Sequence, residues 1–181
     1  MRAGTILVIG YGNDLRGDDA AGQRAADRVA AWALPGVEVR ILHQLTPELA
    51  DPLAGADRAI FLDAHPVSSG AGVRVRRLRC VPSPTHFAHA CDPQGLLDLS
   101  QRVFGRAPEA WSVTIPAVDF AFGAPLSSRT KAGIAEALAV VRPLLTSSPP
   151  PQRTDNRSEE HGSPRDRRDV PTRRNPGCPT R

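Results

Sequence analysis

The stretch "VIGYGNDLRGDDAAG", Val8 to Gly22, decides how the chain is read. An apolar run closing on Gly10, Tyr11 and Gly12 is a short strand passing into a tight turn. Gly10, Gly12 and Gly17, with Asn13 among them, shape a loop whose backbone must turn sharply, taking positive φ where needed. Asp18 and Asp19 then open a helical stretch reaching about Trp32, with Gly22 inside its first turns. A helical glycine costs about 1 kcal/mol relative to alanine. Gly22 therefore predicts close backbone packing, or ligand approach, near the two acids.

Strand, glycine loop and helix is also the layout of a phosphate cradle, but the details disagree. A dinucleotide fingerprint needs glycine at its sixth position, where this chain has Leu15. The second strand should then end in an acid for the ribose, yet it ends in Leu42, His43 and Gln44. A P-loop needs Gly-Lys-Ser/Thr, and the sole lysine is the distant Lys131. Two carboxylates at a helix start would also repel a bound pyrophosphate. A Rossmann-like oxidoreductase is the least favoured reading.

Outward from this segment the periodicity alternates. Strands are predicted at Thr5–Ile9, Val37–Leu42, Ala59–Leu62, Val73–Arg79 and Trp111–Ile115. Helices are predicted at Asp18–Trp32, Pro47–Ala54, Pro93–Phe104 and Ser127–Leu145. That order implies an α/β fold, a three-layer α/β/α sandwich of helices on both faces of a mainly parallel sheet. With 40% hydrophobic residues the core is real, and at 4% aromatics it must be aliphatic.

Composition narrows the function. The net charge of +4 sits mostly in residues 147–181, where eight arginines face five acids for a net of +3. That leaves about +1 for residues 1–146, so no basic face suggests nucleic acid. The 147–181 segment is rich in Pro, Arg and Ser and almost free of aliphatics, and is expected to be a disordered tail. No apolar run approaches the roughly 18–20 residues of a membrane span, and the opening residues leave no room for a signal peptide. A cytoplasmic protein is expected. Cys80, Cys91 and Cys178 show no CxxC spacing and read as free thiols.

Three polar residues stand out. Asp18 is placed to cap the first helix while Asp19 points into a cleft. Asp63 in "AIFLDAHP" ends a buried strand at the carboxyl edge, where open α/β sheets bind ligands; the plainer reading is a turn residue closing the strand. His89, in "PTHFAHACDPQGLLDLS", precedes a helix that Asp92 and Pro93 would start. His86, His89 and Cys91 lack a fourth ligand of matching spacing for a structural zinc site. His65 could support Asp63, though nothing local requires it. Two carboxylates and an imidazole would make an incomplete set for nickel or zinc, leaving positions open for ligands from elsewhere. Ser68, Ser69 and Ser83 carry no triad signature, and neither an Asp-Thr/Ser-Gly motif nor a G-x-S-x-G elbow is present.

"ILVIGYGNDLRGDDAAG", "AIFLDA" and "HACDPQGLLDL", in that order, resemble the hydrogenase maturation proteases over residues 5–145. These endopeptidases remove the C-terminal extension of the nickel-iron hydrogenase large subunit. The resemblance implies a twisted sheet of about five strands, and a catalytic domain spanning residues 1–146. It also implies metal contact by Asp19, Asp63 and His89, and catalysis of the aspartic type by Asp19 or Asp63. No permanent cofactor is expected: the nickel is carried by the partner, the large-subunit precursor, and could itself act as the Lewis acid. Two departures stand out. The chain has "LHQLTPEL" where many members carry an acid and glycines after the second strand, and Ala20 where glycine is common. A non-enzymatic nickel- or precursor-binding maturation factor would use the same residues.

Overall fold

Each apolar run becomes a strand of one sheet. The computed structural model describes residues 4–69, 72–80 and 92–146. The strands β1 (Ile6–Tyr11), β2 (Val37–Leu42), β3 (Arg58–Pro66), β4 (Arg74–Leu78) and β5 (Glu109–Ala117) lie in the order β2-β1-β3-β5-β4. β1 runs parallel to β2 and β3, and β3 parallel to β5. Only β4, on the edge, is antiparallel to its neighbour β5. Helices α1 (Ala21–Ala30), α2 (Ala50–Gly55), α3 (Pro93–Phe104) and α4 (Ser128–Thr146) complete the expected α/β architecture.

Two cores explain why the central strands are apolar at successive positions. Val8, Ile60, Leu62, Val113 and Ile115 pack with side chains of α1 and α4. Their neighbours Leu7, Ile9, Ala59, Phe61 and Ala110 pack with Leu53 of α2 and Leu96 and Leu97 of α3. Strands covered on both faces lose the apolar–polar alternation of a half-exposed sheet. β4 carries exposed arginines on both faces, Arg74 and Arg76 on one and Arg77 on the other, as an edge strand that resists pairing with another chain.

Local chemistry sets the helix ends. Asp92 caps α3 by accepting a hydrogen bond from the Gly95 N–H at 2.7 Å, with Pro93 in the first turn, and Gly105 ends the helix at φ 72°. Near the other end of the molecule the buried Arg58 donates to the Leu144 carbonyl, tying the last turn of α4 to the start of β3. No helix among the described residues is long and apolar enough to cross a membrane.

The close approach expected at Gly22 is present. A Cβ there would collide with the backbone carbonyl oxygens of Leu62 and Tyr11. Gly22→Ala would gain about 1 kcal/mol of helix propensity. Against that stands overpacking onto backbone, which costs about 1–3 kcal/mol and occasionally more. Overpacking wins because rigid carbonyls cannot move aside as a flexible side chain can. Thermal unfolding of Gly22→Ala should show a lower midpoint than wild type; an unchanged or higher midpoint would contradict this packing.

Three expectations need correction or fall elsewhere. β3 does not stop at Asp63 but continues to Pro66, so Asp63 is a strand residue and not a turn that closes the strand. Asp18 does not cap the first helix: residues Gly17–Ala20 form a 3-10 turn without a side-chain cap, and α1 begins at Ala21. His86, His89, Cys91 and the tail 147–181 lie outside the described residues.

Candidate active site

The strand order reverses between β1 and β3, because β2 lies on one side of β1 and all later strands on the other. Crossovers diverge at such a point and leave a crevice at the carboxyl ends of the strands. Tyr11 ends β1 at this position, and the glycine loop follows it. The parallel register pairs Gly10 with Leu62, so one step further Tyr11 stands beside Asp63. Alternation puts both side chains on the face of Leu7, Ile9 and Phe61, toward α3.

The two adjacent acids of the opening segment have separate roles. The Asp18 carboxylate is fully buried and accepts four hydrogen bonds. Its Oδ2 takes the N–H groups of Val118 and Asp119 at 2.9 and 3.0 Å and the Ser127 hydroxyl at 2.8 Å. Oδ1 takes the Ser127 N–H at 2.7 Å. Burial pushes this carboxyl up, but the Asp119, Ser127 and Val118 N–H groups and the Ser127 hydroxyl outweigh it and hold the pKa at about 2. Asp18 is thus a clamp between the glycine loop and the β5–α4 connection. Gly17 makes the clamp possible: at φ 49° it lies so close to the Asp119 carbonyl that a Cβ would meet that oxygen at 2.6 Å.

Asp19 turns the other way. Its Oδ2 accepts the Asn13 N–H at 2.9 Å, while Asn13 Oδ1 accepts the Leu15 N–H at 2.9 Å, so the loop wraps the carboxylate. Gly12, at φ 142°, has room for no side chain because the Asp19 carbonyl occupies that space. Gln23 fastens the loop from below, donating to the Gly12 and Leu42 carbonyls at 2.9 and 2.8 Å.

Asp63 completes the crevice. Burial raises its pKa; hydrogen bonds from the Tyr11 hydroxyl and the Ala64 N–H pull it back, the Asp19 charge raises it, and His65 lowers it. The structure therefore brings Asp19 and Asp63 within electrostatic reach across the switch point. Tyr11 is pushed up by burial and then by the charges of Asp63 and Asp92 around its phenol. Through Asp92, the start of α3 also faces this crevice.

Sequence reasoning did not select Tyr11, left Asp92 as a helix cap, and gave His65 only a possible supporting role beside Asp63. The chain's only tyrosine closes β1 on the α3 face, which was the available signal. His65, 8% exposed, follows Asp63 by two residues on the same face of β3. His89 lies three residues before Asp92, outside the described residues. Among the described residues no group of three His, Cys, Asp or Glu side chains is arranged to hold a metal ion.

No family model and no curated protein matches the sequence. Solved structures do match. The hydrogenase maturating endopeptidase HybD from E. coli superposes at a TM-score of 0.60 with 25% identity, over 78% of this chain and 91% of its own. The fold is that of the hydrogenase maturation proteases. A second endopeptidase from Escherichia coli gives a TM-score of 0.57 at 27% identity, over 76% of this chain and 89% of its own. HybD from Thermococcus kodakarensis, at 23% identity, shares the fold at 0.60 over 77% of this chain and 98% of its own. In this fold the glycine loop and the acid after β1 share the carboxyl edge of the sheet with the acid of β3, close enough for the Asp19 charge to act on Asp63.

Proposed function

We propose that the chain is an endopeptidase that trims the C-terminal extension from a nickel-iron hydrogenase large-subunit precursor after nickel insertion. The observation carrying this reading is the pair Asp19 and Asp63, meeting at the switch point of a fold shared with hydrogenase maturation endopeptidases. Nickel enters as part of the substrate. Two carboxylates form an acidic, oxygen-rich crevice that favours a divalent cation over an empty precursor, with His89 as the third donor. Metallated and unmetallated precursors would thereby be told apart by charge and ligand geometry.

Peptide hydrolysis needs a water made nucleophilic and a leaving amine that receives a proton. Asp63 is the better general base because burial makes it more basic than a solvated carboxylate. It takes a proton from water as the oxygen attacks the scissile carbonyl. The C–N bond then breaks, and the proton passes to the new amine. Asp19 remains as a counter-charge for the metal and substrate. The assignment is of the aspartic type, with no cofactor resident in the protein and a soluble, cytoplasmic setting.

The Tyr11 hydroxyl keeps Asp63 ionised and aimed. A hydrogen bond to a charged group is worth about 1.5–3 kcal/mol, so Tyr11→Phe should lower kcat/KM by roughly tenfold or more. Losing that donor lets Asp63 hold its proton to higher pH. The acid limb of the pH–rate profile should move upward, and an unmoved limb would remove Tyr11 from the site. For the activity itself, the test is incubation with nickel-loaded precursor followed by intact-mass measurement. A shortened C-terminus is expected. Stable binding with the mass unchanged would leave a precursor-binding maturation factor, and saturable dinucleotide binding would point to an oxidoreductase.

A further inference from the structure

The crevice is flanked by apolar side chains that are exposed among the described residues. Leu15, on the loop after β1, is 54% exposed; Val118 and Phe122, on the connection after β5, are 54% and 79% exposed. In the sheet β1 and β5 stand on either side of β3, so these two connections leave the carboxyl edge on both flanks of Asp63. Isolated apolar residues on a surface need no explanation, but a cluster beside a cleft does.

The two connections are also joined into one platform. The Gly123 N–H donates to the Leu15 carbonyl at 2.8 Å, and the Arg16 Nε to the Phe120 carbonyl at 3.3 Å. Beneath them the Asp18 N–H donates to the Asp119 carbonyl at 2.8 Å, alongside the four bonds to the Asp18 carboxylate. Long connections that display apolar groups are usually poorly held. Here the backbone carrying them is fixed before any partner arrives, which lowers the cost of binding.

We propose that Leu15, Val118 and Phe122 form the docking surface for apolar side chains of the precursor polypeptide next to its scissile bond. The inference rests on the endopeptidase reading above. The occupant follows from continuity with the crevice: the two connections leave the same carboxyl edge as Asp63, on the strands that flank β3, so a chain laid across Asp63 along that edge runs beside them. An exposed pair at the far end of α3, Val103 and Phe104, gives a control surface, because α3 starts at the crevice with Asp92 and ends away from it.

The test is steady-state trimming of a nickel-loaded large-subunit precursor by wild type, Leu15→Ser/Phe122→Ser, Phe122→Lys and Phe104→Ser. The first two variants should raise KM by about tenfold or more with little change in kcat. Phe104→Ser should leave both constants as in wild type. Thermal unfolding checks that each variant is folded, and Phe122→Lys, at the most exposed position, carries the test if the double variant is not. Efficient trimming by wild type with unchanged KM in both variants overturns the docking surface and leaves the endopeptidase reading standing. If wild type trims nothing, the endopeptidase reading falls, and the surface is then judged by precursor affinity alone: weaker binding by the variants supports it, equal binding overturns it. A wild-type dimer that the variants convert to monomer in sedimentation would instead assign the patch to a second copy.

Discussion

Asp63→Asn should leave the chain folded and reduce trimming of the nickel-loaded precursor on the order of a thousandfold, the scale of a lost general base. The asparagine keeps the shape and can still accept the Ala64 N–H that Asp63 accepts at 2.8 Å. It cannot take a proton from water. Stability should move the other way. Because burial raises the pKa of Asp63 in the folded state, its ionised form is a burden to the fold at neutral pH. Removing that charge should give a melting temperature equal to or above that of wild type. Loss of activity with retained or increased stability marks a group held for chemistry. Trimming within tenfold of wild type, measured by intact mass, would remove Asp63 from the catalytic role.

Asp18→Asn is expected to do the reverse, damaging the fold first. The shift of Asp18 from its ordinary 3.8 to about 2 corresponds to about 2 kcal/mol of stability at neutral pH. The substitution also points an amide at donors, and each buried donor left without an acceptor costs about 1–3 kcal/mol more. A total of roughly 3–5 kcal/mol should lower the melting temperature by about 10 °C or more. The sign with pH follows from the depressed value. The carboxylate's contribution is complete above about pH 4 and disappears as pH falls through about 2. The gap in melting temperature between wild type and Asp18→Asn should therefore shrink as pH is lowered across that window. A gap that is constant with pH would mean that shape, and not charge, makes the clamp.

Element types and order were legible because the signals were local. The apolar runs, the Asp92–Pro93 helix start and the amphipathic spacing of Pro93–Phe104 each depend on a few neighbouring residues. The Asp19 and Asp63 pair was legible because strand ends on a parallel sheet share one edge. Other features depended on partners far away in sequence. Asp18 looks like a helix cap to its neighbours, and only the Val118–Ser127 connection makes it a clamp. Asp63 looks like a strand terminus, and only pairing with β5 as far as Pro66–Ala117 carries the strand past it. Tyr11 reads as the last core residue of β1 until Asp63 is set beside it.

The span of the Asp18 clamp bears on the order of folding. Asp18 and Ser127 are 109 positions apart, and their bonds close only after β3 and β5 have joined the sheet. Contacts of such separation form late, because a long loop must be closed before they return any free energy. Before residues 118–127 are made, the loop carrying Asp19 is held by local bonds from Asn13 and Gln23, without the clamp. The position of Asp19 is thus set late in the order of assembly, once the β5–α4 connection has folded onto the loop.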